Sequence, residues 1–517
     1  MSFCTVLSAA VQGLSVEMIR VEADVSNGLP MFHMVGYLSS EVKEASERVR
    51  TAIRNSGMKL PAKKIIVNLA PATVRKRGAS FDLPIALAVL AAMNYVPEEA
   101  LKGVAVIGEV SLEGKIRGVS GVLPIVMEAK NQGCTACILP EENEIEGRLV
   151  SGIKILPADN LEKLCAYLNG DEKEIHRKKQ GRSSAQRNIF ENKKEDFSDI
   201  CGQNAVKRAA EIAVAGGHNL LMAGPPGSGK SMIARRIATI LPELSLEESL
   251  EITRIYSVLG MIDKEQPLIT RRPFRSVHHT ITKTALVGGG MTPRPGEISM
   301  AHGGVLFLDE LAEFPRNVLE VLRQPLEEHQ IHIARNYGNF TFPAEFMLVA
   351  AMNPCPCGNY PDMQKCSCTP SQIQKYLGKI SQPFLDRMDL CIETPKVEYR
   401  ELDIERIGKK EEESSEAIRS RVVEARKLQK KRYEGTQIRT NSMLGPGEIR
   451  TYILLGSAER KLMEKAFERM GLTARTYHKI LRVARTIADL DYSEKVTEKH
   501  LKEAIAYRSL DKKYWGR

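Results

Sequence analysis

The sequence predicts an α/β protein in three parts, the last of which is helical. The chain of 517 residues is long enough for about three domains. Short apolar strands alternate with helical segments up to about residue 397, a pattern typical of layered α/β structures. Residues 398–517 show only the spacing of amphipathic helices. Hydrophobic residues make up 43% of the chain and charged residues 27%, which is the composition of a globular protein.

The first part, residues 1–168, is predicted to be a compact α/β domain. Its residue patterns favour strands at 15–23 and 64–69, a buried helix at 81–92 and a strand–turn–strand at 108–118. From residue 171 to residue 196, apolar residues become sparse among Lys, Arg, Glu and Ser. We therefore expect a charged linker at 169–197.

The second part, residues 198–397, is predicted to be a parallel sheet with helices on both faces. Its apolar strands, at 219–223, 305–308 and 346–352, are separated by helical segments. The third part, residues 398–517, is predicted to be helical. One predicted helix has Ile418, Val422, Ala425 and Leu428 on one face, and another at 474–490 has Ile480, Leu481, Ala484, Ile487 and Ala488 as its apolar stripe.

Composition and charge narrow the possible environments and partners. No apolar run reaches the roughly 20 residues of a membrane-spanning helix, and the N-terminus lacks the features of a signal peptide. Ten cysteines are too few for a disulfide scaffold, so we expect a cytoplasmic protein without membrane contact. Residues 401–517 hold 27 basic and 19 acidic residues. This excess belongs either to a solvated helical surface or to one that faces a polyanion.

One motif predicts a nucleotide site. It fits the pattern G-x-x-x-x-G-K-[ST] and stands between a predicted strand and a predicted helix. Its residues are Gly224, Pro225, Pro226, Gly227, Ser228, Gly229, Lys230 and Ser231. The glycines allow backbone N–H groups to surround phosphate oxygens, and the N-terminus of the helix adds a favourable dipole. We expect Lys230 to reach the β- and γ-phosphates of ATP and Ser231 to bind Mg²⁺.

Further candidate residues follow two other predicted strands. Asp309 and Glu310 come directly after an apolar strand, at the edge where ligands bind in open α/β sheets. We expect Asp309 to complete the Mg²⁺ site and Glu310 to activate the attacking water. Asn353 follows the strand at 346–352 and would sense the γ-phosphate or the water.

Two arginines could supply the positive charge that phosphoryl transfer needs. Arg387 is a candidate arginine finger, which would act on a neighbouring subunit in a ring. The alternative is an ion pair with Asp386 or Asp389. Arg475 opens the helix at 474–490 and could reach the same phosphate, or could be an ordinary surface arginine.

A cysteine cluster suggests a metal. Two C-x-C pairs fall within 14 residues, and they consist of Cys355, Cys357, Cys366 and Cys368. Four thiolates suit tetrahedral Zn²⁺, although the one-residue gaps are shorter than the usual spacing. Structural zinc and free or redox-active thiols are therefore both compatible with the sequence. For Cys134 and Cys137 we favour incidental packing, and for His278 and His279 we favour hydrogen bonding over metal binding.

Taken together, the motifs resemble one known family. Resemblance to AAA+ ATPases of the magnesium-chelatase-like group rests on the P-loop, Asp309–Glu310, AAMNPCPCG at 350–358 and FLDR at 384–387. More narrowly, the whole chain resembles proteins of the ComM/YifB type. That resemblance rests on RPFR at 272–275, HHT at 278–280, GGG at 288–290, RPGEIS at 294–299 and ARTYHKILRVARTIADL at 474–490.

The resemblance implies a hexameric ring that moves single-stranded or branched DNA, as a helicase or branch-migration factor does, in homologous recombination or natural transformation. It also implies two elements that face a central pore. These are a helix-2 insert at 287–299 and a pre-sensor hairpin at 331–342, with Lys283, Arg294 and Arg335 as candidate phosphate contacts. The residues at 398–517 would form a C-terminal lid.

The first part resembles the Lon protease domain. The stretch GASFD at 78–82 falls where that family has its nucleophilic serine, here Ser80. The lysine of the catalytic dyad would fall at about Leu123, and Lys130 lies two helical turns further on. The resemblance therefore implies a Lon-like fold that lacks the base needed for proteolysis.

Other functions share some of these motifs. A chelatase motor subunit typically lacks the Lon-like domain, and the absent lysine disfavours an ATP-dependent protease. The alternative to a DNA motor is a magnesium-chelatase-like or protein-remodelling ATPase that does not act on DNA. Stimulation of the ATPase by DNA would distinguish the two.

Overall fold

The structure is a computed structural model that describes residues 2–171, 195–335, 338–396 and 412–515. Most of the expected linker at 169–197, two residues of the expected hairpin turn and the first residues of the third part lie outside the described residues. Within them, the chain forms a mixed α/β part, a parallel α/β core and a helical part, which is the predicted fold class.

The first part contains a mixed sheet of seven strands. From one edge to the other, the strands are Met31–Val35, Lys64–Ala70, Ser15–Ser26, Ser2–Gln12, Val104–Val106, Ala136–Pro140 and Lys154–Ala158. The short antiparallel pair Glu109–Val110 and Ile116–Arg117 is the expected strand–turn–strand. The helices are Ser40–Lys43, Ala45–Asn55, Asp82–Ala92, Val122–Asn131, Glu144–Gly147 and Leu161–Leu168.

Helix Asp82–Ala92 is buried along its whole length because it lies between the sheet and helix Ala45–Asn55. A helix in that position needs apolar residues on every side, which explains why its sequence has no polar face. Its one charged residue, Asp82, accepts two hydrogen bonds of 2.9 Å from the guanidinium of Arg48. The buried carboxylate is thus paired, as a buried charge must be.

The second part is built on a parallel sheet of five strands. Their order is Phe274–Val277, Val305–Leu308, Met347–Met352, Leu220–Ala223 and Leu390–Glu393. Alternate side chains of one strand enter different apolar clusters, because successive side chains of a strand point to opposite faces. Leu220 and Met222 pack in the cluster shared with the third part, whereas Leu221 and Ala223 pack in a cluster on the other face. Both faces are covered, as predicted.

The helices of the core surround this sheet. They are Asn204–Gly216, Lys230–Ile237, Leu246–Leu259, Lys283–Val287, Glu297–Met300, Arg316–Glu320, Pro325–Glu328, Pro370–Leu377 and Gln382–Leu385. Two small antiparallel pairs stand at the positions expected for the insert and the hairpin. They are Gly288–Gly289 with Arg294–Pro295, and Gln330–Arg335 with Gly338–Pro343.

The third part is helical and packs against helix Asn204–Gly216 of the core. Its helices are Ser415–Arg432, Pro446–Tyr452, Ser457–Met470, Ala474–Leu490, Glu498–Ala506 and Ser509–Trp515. The stripe predicted for the helix at 474–490 is buried. In the first helix Ile418, Val422 and Ala425 of the predicted apolar face are buried, whereas Leu428 is 37% exposed. Gln429 takes the buried position, and its side-chain amide donates to the carbonyl oxygen of Ala215.

Short 3₁₀ turns complete the fold at Glu98–Leu101, Glu141–Asn143, Phe197–Asp199, Ala238–Ile240, Leu311–Glu313 and Asn441–Met443. Among the described residues, no helix combines the length and the apolar character that crossing a membrane requires.

The first part docks on the core through the turn between its first two strands. Leu14 enters the apolar cluster of the core that also contains Phe340 and Phe342 of the hairpin. Its carbonyl oxygen accepts a hydrogen bond from Arg254 on helix Leu246–Leu259. The base of the hairpin is therefore held between the first part and the sheet of the core.

Candidate nucleotide site

The P-loop joins strand Leu220–Ala223 to helix Lys230–Ile237. Gly227 and Gly229 have left-handed backbone with φ of +75° and +82°, and a Cβ added at either would meet no atom within 4 Å. A Cβ at Gly224 would instead lie 2.2 Å from the carbonyl oxygen of Thr394. The glycines thus permit both the tight turn and an open inner side, where backbone N–H groups can approach phosphate.

Lys230 is buried at the base of this loop. Its Nζ donates to the carbonyl oxygens of Gly224 at 2.7 Å and Pro225 at 2.8 Å. It also lies 3.2 Å from Oδ1 of Asn353, the residue that follows strand Met347–Met352. Burial lowers the pKa of Lys230 to about 8, and the Asp309 carboxylate acts in the opposite direction. An anionic ligand such as phosphate would stabilise the charged form of this buried ammonium group.

Two side-chain oxygen atoms, from Ser231 and Asp309, lie next to the P-loop. The hydroxyl of Ser231 donates to Oδ2 of Asp309 at 2.6 Å. These residues meet because strands Leu220–Ala223 and Val305–Leu308 are parallel and end at the same edge of the sheet. A hydroxyl and a carboxylate are ligands that Mg²⁺ accepts beside phosphate oxygens. The residues present therefore fit a magnesium nucleotide.

Glu310 has an unusual backbone conformation. Its φ is +53°, in the left-handed region that costs a non-glycine residue roughly 1–2 kcal/mol. Its N–H donates to Oδ1 of Asp309 at 2.9 Å, and its side chain is 55% exposed. Strained residues of this type gather at functional sites. The turn leaves the Glu310 carboxylate open to solvent, where it could contact an attacking water.

His279 is a neighbour of Glu310 that the sequence interpretation missed. Its Nδ1 lies 3.1 Å from Oε2 of Glu310, although the two groups are not aligned as a hydrogen bond. The ring of His278 lies against that of His279, with 4.0 Å between the ring centroids, and its Nδ1 contacts Thr280 Oγ1 at 2.9 Å. Hydrogen bonding is thus observed for His278, but His279 has a carboxylate partner that its sequence neighbours do not reveal.

The two candidate arginines lie together, away from the P-loop of the same chain. Arg387 comes just before strand Leu390–Glu393 and therefore lies at the N-terminal ends of the parallel strands. Lys230 lies at the opposite, C-terminal ends. Its guanidinium donates to Oε1 of Glu327 at 2.6 Å, and Arg475 contacts the same oxygen. The ion pair is therefore with Glu327, and not with Asp386 or Asp389. Burial lowers the pKa of Arg387.

The four cysteines come together in the segment that follows Asn353. The Sγ atoms of Cys355, Cys357 and Cys366 are 3.4 to 3.8 Å apart, and all four sulfur atoms lie within 4.8 Å of one another. None forms a disulfide. Cys134 and Cys137 are buried in the first part, and neither belongs to a metal-binding group found among the described residues.

The insert and the hairpin expected at the pore lie side by side. Arg335, the last described residue of the first hairpin strand, is exposed and contacts the carbonyl oxygen of Gly290 at 3.4 Å. Arg294 and Lys283 are exposed too. The three candidate phosphate contacts thus belong to one surface region built from a short helix and two small strand pairs.

In the first part, the position expected for a catalytic lysine is an interior one. Leu123 is fully buried, and its N–H donates to Oε1 of Glu146. Lys130 lies beside Gly152. No hydrogen bond joins the side chain of Ser80 to a lysine within the ranges that the structure describes. The absence of proteolytic activity stays a prediction.

Comparisons with known proteins place the chain in a family. The family described as magnesium chelatase, subunit ChlI, matches residues 196–402, and its C-terminal counterpart matches residues 412–508. A further model, subunit ChlI of Mg-chelatase, matches residues 21–143. The first part also shows a weak similarity to the Lon protease of Trichlorobacter lovleyi, with 26% identity over 29% of this chain and 19% of that protein.

Full-length relatives are also similar. The uncharacterized protein YifB of Escherichia coli is 44% identical over 99% of this chain and 98% of its own length. The competence protein ComM of Haemophilus influenzae is 42% identical over the same shares of the two chains. The chain therefore belongs to the YifB/ComM type of magnesium-chelatase-like proteins, with an AAA+-like core.

Proposed function

We propose that this protein is an ATP-hydrolysing AAA+ motor that works as a hexameric ring on single-stranded or branched DNA. The observation that carries the proposal is the convergence of Lys230, Asn353 and the Ser231–Asp309 pair at one edge of the sheet. The name of the Haemophilus influenzae relative links that protein to competence. We extend this link to a role in homologous recombination or natural transformation, and thus to the cytoplasm.

Within one chain, the proposed roles follow from these contacts. Lys230 would pair with the β- and γ-phosphates of ATP, and Ser231 and Asp309 would hold Mg²⁺, which offsets charge on the transferred phosphoryl group. Asn353, bonded to Lys230, would sense the γ-phosphate. Glu310 would orient the attacking water and accept its proton.

The proposed ring is supported by the position of the arginine pair. Arg387 and Arg475 share Glu327 at the edge of the sheet opposite Lys230, so neither can reach the phosphates of its own P-loop. In a ring they would face the nucleotide of the neighbouring subunit, where an arginine stabilises the transition state. On this proposal, Arg475 acts beside Arg387 and links the lid to the neighbour's nucleotide.

The proposed DNA contact is supported by the basic loops. Arg335, Arg294 and Lys283 are exposed on adjacent elements, and arginine and lysine neutralise backbone phosphates whatever the base sequence. Because the hairpin packs on the sheet that carries Asp309 and Asn353, a change at the nucleotide could move these side chains. ATP and Mg²⁺ are the proposed cofactors, with Zn²⁺ at the four cysteines as a third.

The test is the ATPase rate of the full chain without DNA and with single-stranded, duplex or four-way-junction DNA. Lys230→Ala should bind no nucleotide and serves as the blank. Glu310→Gln should bind ATP but hydrolyse it poorly, by about 100-fold or more, if Glu310 is the base. If Glu310→Gln lost affinity for ATP as completely as Lys230→Ala, the role of Glu310 as the base would be contradicted.

A pair of arginine variants tests the DNA surface. Arg335→Ala should lose most of the stimulation by DNA, whereas Arg54→Ala, an exposed arginine of the first part, should retain it. The greatest stimulation is expected on the junction. A robust ATPase that is indifferent to every DNA would replace the proposal with a remodelling or chelatase-like ATPase.

A further inference from the structure

We propose that the four cysteines bind one Zn²⁺ and that the closed metal knuckle, residues 355–368, supports the P-loop from outside, so that zinc occupancy sets the affinity for ATP. The proposal rests on the nucleotide site proposed above. On this proposal, the metal both stabilises its own segment and controls the affinity of the P-loop for ATP.

The sulfur positions fit one tetrahedral ion. Zinc–thiolate bonds of about 2.3 Å place neighbouring sulfur atoms about 3.8 Å apart in a tetrahedron. The distances between the sulfur atoms of Cys355, Cys357 and Cys366 are 3.4, 3.5 and 3.8 Å, and Cys368 completes a group within 4.8 Å. Such spacing is too long for a disulfide and close to that of a shared ligand shell.

The surroundings also suit thiolates. The N–H of Tyr360 points at Sγ of Cys355 at 3.4 Å, and the side-chain amide of Asn359 donates to Sγ of Cys357 at 3.9 Å. Four thiolates around Zn²⁺ carry a net charge of −2, and N–H donors to sulfur reduce the cost of that charge. Cys355 is fully buried in the core cluster, so the ion would be anchored on its inner side.

The knuckle contacts the P-loop directly, and Asn353, which lies two residues before the knuckle, contacts Lys230. Gly358 has φ of +81°, and a Cβ there would lie 2.4 Å from Cδ of Pro226 in the P-loop. Only glycine allows the backbone at position 358 to approach the Pro226 ring so closely. At the start of the segment, Asn353 contacts Lys230, two residues before the first cysteine. Pro226, Lys230 and Asn353, which take part in these two contacts, all belong to the proposed ATP site.

Without metal, this segment would be held by turn hydrogen bonds, such as the N–H of Cys366 to the carbonyl oxygen of Asp362, and by packing on the core cluster. The structure describes every residue between strand Met347–Met352 and helix Pro370–Leu377, and they contain neither helix nor strand. Four ligands joined to one ion would close the segment and hold Gly358 against Pro226. Loss of the ion should release the P-loop and Asn353 together, and the ordering of both would then have to be achieved when ATP binds.

The experiment measures zinc content and ATP affinity separately on the full chain. Elemental analysis of protein purified with a reductant should give about one zinc per chain. Cys366→Ala/Cys368→Ala should bind no zinc and bind a fluorescent ATP analogue at least about fivefold more weakly, the lower end of typical coupling between sites. Cys134→Ala/Cys137→Ala is the matched control and should keep both properties.

A second arm avoids substitutions. Wild-type protein stripped by a chelator and returned to Mg²⁺ buffer should show the same loss of affinity, and added Zn²⁺ should restore it. Absence of zinc in the purified protein, or a disulfide among the four cysteines, would overturn the metal site. Bound zinc whose removal leaves ATP affinity unchanged would overturn the support role. Failure of the wild-type protein to bind ATP would instead overturn the proposed function, while the zinc content could still be read.

Discussion

At the scale of single residues, the candidate nucleotide site depends on a buried positive charge. Lys230 is held by two loop carbonyl oxygens and by Asn353, and burial lowers its pKa to about 8 from an ordinary value of 10.5. Below pH 8 the ammonium is charged and can pair with phosphate. Above pH 8 the free protein loses that charge, so binding of an anion must be accompanied by uptake of a proton.

We therefore predict that the affinity for ATP decreases with pH. Between pH 8 and pH 9.5 the dissociation constant should rise by up to about tenfold per pH unit, because the protonated fraction of Lys230 decreases at that rate. Isothermal titration calorimetry in buffers of different ionisation enthalpy should detect proton uptake at pH 9 but not at pH 7. In Lys230→Arg, which stays charged, weaker but pH-independent binding is expected. A pH-independent affinity in the wild type would contradict the assignment.

The residue scale also shows what the sequence could and could not predict. Glu310 was predictable because it follows an apolar strand directly. The contact of His279 with Glu310 was not predictable, because it depends on the pairing of two strands that are separate in the sequence. Val277 is opposite Leu308 where two neighbouring parallel strands end, so His279 and Glu310, each two residues beyond its strand, lie close together. Only knowledge of that strand register could have predicted the contact between His279 and Glu310.

We predict that His279 positions the carboxylate of Glu310. In His279→Ala the maximal rate of ATP hydrolysis should fall by about tenfold, part of the effect expected for a general base, with little change in ATP affinity. His278→Ala is the control, since that ring pairs with Thr280, whereas the ring of His279 lies within ion-pair distance of the carboxylate. Steady-state kinetics and nucleotide binding distinguish the outcomes. A loss of affinity equal to the loss of rate would indicate a structural role instead.

At the scale of elements, the helix at 474–490 depends on a buried carboxylate as well as on its apolar stripe. Asp489 is fully buried and accepts hydrogen bonds from Arg432, Arg485 and Asn441. This group connects three segments of the helical part. The apolar stripe was predictable from its spacing, but these polar contacts were not, and neither was the buried position of Gln429. Polar groups of this kind depend on carbonyls and charges from other parts of the chain.

We predict that Asp489→Asn destabilises the helical part by about 3–5 kcal/mol, because two arginines lose their buried counter-charge. Urea unfolding can be followed by the fluorescence of Trp515, the one tryptophan of the chain, which donates to the carbonyl oxygen of Leu377. Glu498→Gln, which breaks an exposed pair with Lys502, should cost less than about 1 kcal/mol. Equal effects of the two substitutions would show that the Asp489 group contributes no more than a surface ion pair.

At the scale of the whole molecule, the direction of the strands separates the two halves of the proposed catalytic site. Lys230, Asp309 and Asn353 follow strands and therefore lie at one edge, whereas Arg387 precedes a strand and lies at the other. The sequence predicted Arg387 as a candidate arginine finger for a neighbouring subunit, and that role stays a prediction. The sequence did not show that Arg475 shares Glu327 with Arg387, because that contact joins the helical part to the short helix Pro325–Glu328 of the core.

This separation leads to a prediction for mixed assemblies. Lys230→Ala and Arg387→Ala should each be inactive alone, the first without nucleotide and the second without the stabilising guanidinium. Co-expressed in equal amounts, they should recover about a quarter of the wild-type ATPase, because that share of random interfaces joins an intact P-loop to an intact arginine.

The matched control combines both substitutions in one chain and mixes that chain with Arg387→Ala, so that no interface has both groups and no activity should return. Size-exclusion chromatography must show that the mixed subunits assemble together. If mixed assemblies form and the first pair recovers nothing, Arg387 does not complete a neighbour's site. Its pairing with Glu327 would then be structural, and the two edges of the sheet would not be joined across a subunit interface by this residue.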